Sequence, residues 1–477
     1  MRITVILASL LIATTAVAQT APPPAAEPAA TPPAAPAPAA AAPAAAPAPA
    51  AAPAVAPKPT FTFALHGFVS MSAAVQTGLF NSEGQLSNYS LTPESLQKDK
   101  NSSTFDVRHS RFNFSVKGPQ VFAGATPAGI LEIDFMGGWG AGANGSASLM
   151  NRLRIAVAEL DWGSTRLQFG QQNDLIFAMA PTSLSHIGQP LGYATGNTGW
   201  RRPGIFGFHT LGVNPDAKLE LAWEVARGNW NDTGTCVVSG LAPTACSGVG
   251  GGAVASPTGG VAAAEAAVTP AIEGRATFNY AKIANVWIAG HYHQVDLTGV
   301  GVGASIAAGG TNAANVRILP VSSYNVGAKF SYDLKPLVLT LQGTGYIGRN
   351  AAPLVANFGS YRIGTEDNAN VDSRGYWLQA GAAVGNFSLW ALYGLQKVDE
   401  ADFARTNPTV SATATPAYQN QTTNVIAMYR DGGFGLSAEW INFKTRLATS
   451  VVAASESVTG HFTSKADQYM FTANYFF

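Results

Sequence analysis

The stretch Asn386-Phe-Ser-Leu-Trp-Ala-Leu-Tyr-Gly-Leu-Gln396 decides the fold class. Phe387, Leu389, Ala391, Tyr393 and Leu395 fall on one parity, and Ser388, Trp390, Leu392, Gly394 and Gln396 on the other. A period of two gives two chemically different faces only in an extended strand. The pattern recurs. Phe112, Phe114 and Val116 alternate with Arg111, Asn113, Ser115 and Lys117, and Leu153, Ile155 and Val157 with Arg152, Arg154 and Ala156. Leu167 and Phe169 alternate with Arg166, Gln168 and Gly170. A soluble sandwich would load its outer face with charge. Here the second face carries Gly, Ala, Ser, Gln and scattered Arg, as a wall around a water-filled lumen can.

Composition points the same way. Of 477 residues, 28 are Lys or Arg and 28 are Asp or Glu, so charged residues make up 12 %, against about 25 % in soluble domains. Glycine (50) and aromatic residues (10 %) are plentiful. Beyond residue 20 no apolar run approaches the roughly 20 residues of a transmembrane helix. A net charge of zero leaves no basic excess to neutralise phosphates, so nucleic acid is not an expected partner.

Strands are predicted near 63–75, 104–117, 128–136, 150–162, 164–172, 203–210, 217–228, 272–281, 285–295, 323–333, 336–347, 375–384, 386–397, 423–431, 434–447 and 466–477. Their connections alternate in character. Short ones hold turn residues: Gly118-Pro119, Gly163-Ser164, Asn214-Pro215-Asp216, Asp333 to Pro336, Gly385-Asn386 and Asp431 to Gly433. Long polar or Gly/Ala-rich ones lie between. The expected fold is all-β: a transmembrane antiparallel up-and-down barrel of about 16 strands, with short periplasmic turns, long outer loops and both chain ends periplasmic.

Residues 1–18 read as a signal peptide: Arg2, an apolar core from Ile3 to Ile12, and Ala16-Val17-Ala18 before the cleavage point. Residues 19–60 are almost entirely Ala and Pro, a polyproline-like tether able to reach on the order of 120 Å. It is read as a passive spacer or as a periplasmic arm. The barrel domain is then 61–477. At its end Tyr469, Phe471, Ala473, Tyr475 and Phe477 share one face, which resembles the terminal strand by which outer-membrane proteins are presented to the barrel-assembly machinery.

Four runs carry a closer resemblance: Asp106-Val-Arg-His-Ser-Arg-Phe-Asn-Phe-Ser-Val-Lys-Gly118, Leu131-Glu-Ile-Asp-Phe-Met-Gly-Gly138, Leu153-Arg-Ile-Ala-Val-Ala-Glu-Leu-Asp161 and Gly170-Gln-Gln-Asn-Asp-Leu-Ile-Phe177. In this order they resemble the early strands of trimeric 16-stranded porins, most of all the DcaP-like group, related in design to phosphate-selective porins. The local match covers about residues 62–177. It implies a homotrimer in outer-membrane lipid, a third outer loop folded into the lumen, and passive passage of small hydrophilic, often anionic, solutes. An Ala/Pro segment stands here where such porins can carry an N-terminal coiled coil.

The connection 173–202 is the candidate constriction loop, bounded by Asp174 and by Arg201-Arg202 with His186 between them; a large surface loop is the other reading. Arg111, Arg152, Arg154 and Arg166 gather on the adjoining polar faces, and a ring of fixed basic charge favours anions. Arg108 has the opposite parity to Arg111 and needs a bulge to face inward. Against anion preference stands cross-strand pairing: if the hairpin centres near Ala143, Asp134 faces Arg152 and Glu132 faces Arg154, and the fields cancel in a balanced general pore. His291 and His293 share a face with Trp287, read as polar lumen wall rather than metal site; neither metal nor cofactor is expected. Cys236 and Cys246 fit one outer-loop disulfide worth about 2–3 kcal/mol, or a free pair. No enzyme is expected, since His109-Ser110 and Ser183-x-Ser185-His186 are sequence neighbours and not a triad. A structural or adhesive barrel is the stronger rival.

Overall fold

The computed structural model describes residues 60–78, 101–137, 139–141, 147–149, 151–228, 267, 269–296, 318–355, 370–406 and 417–477. The predicted signal peptide, nearly all of the Ala/Pro segment, Cys236 and Cys246 lie outside these residues.

The strands are β1 (Thr62–Thr77), β2 (Asn101–Asp106), β3 (Arg111–Lys117), β4 (Thr126–Asp134), β5 (Trp139–Ala141), β6 (Ala147–Leu149), β7 (Arg152–Asp161), β8 (Thr165–Asn173), β9 (Arg201–Asn214), β10 (Ala217–Ala226), β11 (Ala271–Tyr280), β12 (Ala284–Asp296), β13 (Ile318–Asp333), β14 (Leu337–Arg349), β15 (Asp372–Val384), β16 (Phe387–Val398), β17 (Ala417–Asp431), β18 (Phe434–Val452) and β19 (Ser457–Phe476). β5 and β6 pair only with each other; the rest form one antiparallel sheet of 17 strands, closed where β1 meets β19 from Phe68↔Phe476 to Thr77↔Asp467. Closure pairs every edge, which a bilayer demands of any spanning sheet.

β2 and β3 occupy a single position, so the barrel has 16 positions around its wall. β1 pairs with both, at Ser72↔Asp106 and then at Phe68↔Arg111. Residues 69–71 of β1 therefore lie opposite residues 107–110, and the extra residue is a bulge. It turns Arg108 inward, where the buried guanidinium donates to both carboxylate oxygens of Asp106, the shorter bond 2.7 Å.

Alternation sorts side chains as the sequence predicts. On β16, Phe387 and Leu389 are exposed to the surroundings, while Leu392 is buried inside. On β19, Tyr469, Phe471 and Tyr475 point out and Met470, Thr472 and Asn474 point in. The outer surface is thus apolar and the crossing is made by strands; among the described residues no helix is long and apolar enough to cross a membrane.

All predicted strands are present; 104–117 is split into β2 and β3, β5 and β6 are additional, and the remaining differences are at strand ends. β17 begins at Ala417 and β19 at Ser457, several residues before the positions that alternation marks. Polar runs such as Gln419–Thr423 have no apolar face to signal a strand, but ladder bonds to β16 and β18 hold them extended. The interior also holds more apolar matter than the inner faces suggest. Helix α1 (Glu400–Thr406) buries Phe403, a turn at Ala352–Leu354 buries Leu354 and Val355 follows it; these pack with Val321, Tyr346 and Ile176.

Candidate functional site

The segment 174–200 leaves from β8 and returns into β9, whose ends pair at Asn173↔Arg201. Its polar contacts run far around the wall. The Thr182 N–H donates to Gln379 on β15 (2.7 Å), Thr198 to Asn325 on β13 (2.6 Å), and Ser183 to Glu439 on β18 (3.1 Å). Asn474 on β19 donates to the Leu184 carbonyl (3.1 Å), Trp377 on β15 to Asn197 (2.6 Å), and Arg111 on β3 to the Ile187 carbonyl (2.9 Å). The inner-face amides and hydroxyls therefore grip the segment from several sides, each bond contributing about 0.5–1.5 kcal/mol.

Gly196 permits a close backbone approach to β15. Its φ is +120°, and a Cβ there would lie 2.5 Å from the Tyr376 backbone. Gly196→Ala is both strained and obstructed, so we expect the segment to lose its Trp377–Asn197 anchor and the single-channel conductance of the purified protein to rise. Unchanged conductance would mean that the segment does not limit the passage.

The root of the segment is an ionic cluster. Arg202 is completely buried, with its Nη1 at 3.1 Å from Glu273 and 3.4 Å from Asp174. The carboxylates of Asp174, Glu224 and Glu273 have oxygens within 4.8 Å of one another. They also accept main-chain N–H groups from both ends of the segment: Leu175 to Glu224 (3.1 Å), Ile176 to Glu273 (2.9 Å) and Trp200 to Asp174 (2.8 Å). Burial pushes the Asp174 carboxyl up to about 6, with Arg202 pulling it down and Glu273 adding to the rise. His291 and His293 extend the cluster, His291 bonding to Glu273 and to His293 at 2.6 Å each. Three carboxylates in this arrangement are the donor set of a hard cation, but Arg202 already stands among them as counter-charge.

The basic wall is largely paired. Asp134 lies opposite Arg152 as the hairpin centre requires, and a bulge after Glu132 shifts the next pair to Glu132↔Ile155. Arg154 nevertheless reaches Glu132 (2.6 Å) and Asp134 (2.9 Å), Arg152 holds Asp134 (2.6 Å), and Arg111 lies 3.4 Å from Glu132. Arg166 sits between Glu159 (3.8 Å) and Glu220 (3.7 Å). Arg201 differs: its guanidinium stacks 4.3 Å from the Trp200 ring centroid, with Arg152 at 5.7 Å from the same ring. Among the described residues it makes no ion pair with a carboxylate.

His186 is buried, with Nδ1 3.5 Å from Glu439. Ser183 gives its hydroxyl hydrogen to that carboxylate and accepts the His186 main-chain N–H at 3.0 Å. No serine hydroxyl there is set on the imidazole, so the geometry is a structural bond set and not a triad.

No protein-family model matches the sequence, and no curated protein matches it either. Among solved structures, the outer-membrane channel DcaP of Acinetobacter baumannii matches over 87 % of this chain and 97 % of its own, with a TM-score of 0.56 at 16 % identity. This chain shares the fold of an outer-membrane channel. The anion-selective porin of Comamonas acidovorans (10 % identity, TM-score 0.47, 88 % and 100 % covered) and Pseudomonas putida OprB (10 % identity, TM-score 0.47, 87 % and 94 % covered) are more distant neighbours.

Proposed function

We propose that this chain is a porin, a passive diffusion channel for small hydrophilic solutes across an outer membrane, with a preference for anions. The segment 174–200 is its constriction, narrowing a lumen that 16 strands would leave wide. Its long connections face outward and its ends face the periplasm; the resemblance of residues 62–177 supports a homotrimer. Aromatic residues at the C-terminus support delivery by the barrel-assembly machinery.

One observation carries the anion preference. The guanidinium groups of Arg111, Arg152 and Arg154 share two carboxylates, Glu132 and Asp134, and Arg201 stands with Arg152 on the Trp200 ring. That leaves a formal excess of two positive charges, and Arg201 is the member without a carboxylate. Planar-bilayer recording tests the reading: stepwise conductance with a reversal potential of anion-selective sign in a salt gradient. An unselective or cation-selective pore would favour the second reading, a balanced general porin, to which the Glu132 and Asp134 pairs point. For sidedness, labels added to intact cells should reach 229–271 and 398–422 while the 118–127 turn stays protected; labelling of that turn would invert the topology.

A further inference from the structure

On the outside of the barrel, near the ends of β13 to β16 that lead into long connections, one transverse row reads Tyr324↔Ile347↔Arg374↔Lys397. Tyr324 and Ile347 are strongly exposed on the outer surface, and parity places Arg374 and Lys397 on the same surface. Two cations thus face each other directly across adjacent strands, an arrangement that is destabilising by itself. The row lines a groove that also includes Arg349, Asp372 and Asp399.

Two of the acidic groups nearby are committed elsewhere, and a third, Glu400, stands loosely by Lys397. Asp372 holds Arg349 at 2.8 Å, and Asp399 accepts the N–H groups of Ala401 and Asp402 at the start of α1. Glu400 stands 3.9 Å from Lys397. Arg374 has no carboxylate partner among the described residues. One residue row toward the middle of the wall the outer surface turns apolar, with Val326, Tyr376 and Leu378 exposed. Tyrosines bordering an apolar band mark the depth of lipid headgroups. At that depth a cation pair above an apolar face matches a phosphate above acyl chains, as basic pockets on membrane proteins do.

We propose that this groove binds the phosphate of a lipid in the leaflet at the long-connection end, with Arg374 and Lys397 as donors to the headgroup. The proposal rests on the barrel lying in a membrane, but not on its conducting solutes.

The test uses purified full-length protein in detergent, with lipid A carrying both phosphates as the probe and its dephosphorylated form and inorganic phosphate as comparisons. Binding of fluorescent lipid A should weaken about fivefold for each of Arg374→Gln and Lys397→Gln, and multiplicatively in the double variant. Arg374→Lys should retain most of the affinity. Heat-modifiable mobility checks that each variant is folded. Equal binding of dephosphorylated lipid, or an unaltered affinity in the folded double variant, would overturn the proposal. Displacement of the lipid by inorganic phosphate at matched concentration would assign the site to the free ion and overturn it too. Bilayer conductance of the same variants should be unchanged, so a failed channel and a failed lipid site give separate signatures.

Discussion

Deleting Phe477, or replacing it with Asp, should remove most of the folded barrel from the membrane of cells that express the chain. Phe477 completes the seam: its N–H donates to the Gly67 carbonyl at 3.1 Å, and the Gly67 N–H donates to its carbonyl at 3.0 Å. Its ring lies 6.0 Å from that of Phe112, and with Tyr469, Phe471 and Tyr475 it belongs to the exposed outer face. The finished barrel has little to lose, however. An acidic residue near a bilayer interface costs on the order of 1 kcal/mol or less, and β1 and β19 keep their ladder from Phe68↔Phe476 onward. A large loss in cells combined with normal refolding of Phe477→Asp in detergent micelles would place the effect in recognition by the assembly machinery. Normal amounts of heat-modifiable barrel in cells would exclude that role for the terminal aromatic. Equal loss in both settings would make Phe477 a stability residue of the seam.

The wall was legible because a strand's contacts are local in pattern. Parity alone assigns Phe387 and Leu389 to the outside, and the short turns fix the neighbours. Even the need for a bulge at Arg108 follows from its parity against Arg111, and Asp134 meets Arg152 because both lie equally far from Ala143. What the chain's pattern conceals is which distant groups the segment 174–200 meets. Glu224, Glu273 and Glu439 sit on inner parities of β10, β11 and β18, far apart in sequence, and only the barrel's closure brings each to the loop. A zero net charge was the available signal: arginines on inner faces require acids somewhere, and those acids are also inside. Arg202 is the clearest consequence. Grouped with Arg201 by adjacency, it lies instead between Asp174 and Glu273, which consume its charge as a brace of the loop root. Asp174 and His186 are likewise buried in anchoring contacts.

That division of labour between neighbours leads to a sharp difference between two substitutions. Arg201→Gln should carry the reversal potential of the open pore most of the way toward zero while leaving the barrel as stable as before. Its charge stands on Trp200 without a carboxylate, so removing it deletes field and little else. Arg201→Lys keeps the charge and should keep the sign of selectivity. Arg202→Gln should instead leave Asp174, Glu224 and Glu273 uncompensated in a buried cluster, costing about 3–5 kcal/mol, read as a lower urea midpoint and noisier conductance. Arg405 serves as the distant comparison: it already pairs with Glu456 at 3.2 Å and with Asp402, and neutralising it should alter neither readout. Salt sets the discrimination. At about 0.1 M the Debye length is roughly 10 Å, so only a charge at the narrowest point can act on a passing ion. If Arg201→Gln leaves selectivity intact, the field of Arg111, Arg152 and Arg154 outweighs its pairing with Glu132 and Asp134. If wild type is already unselective, those two carboxylates cancel the wall, and the loop then filters solutes by size alone.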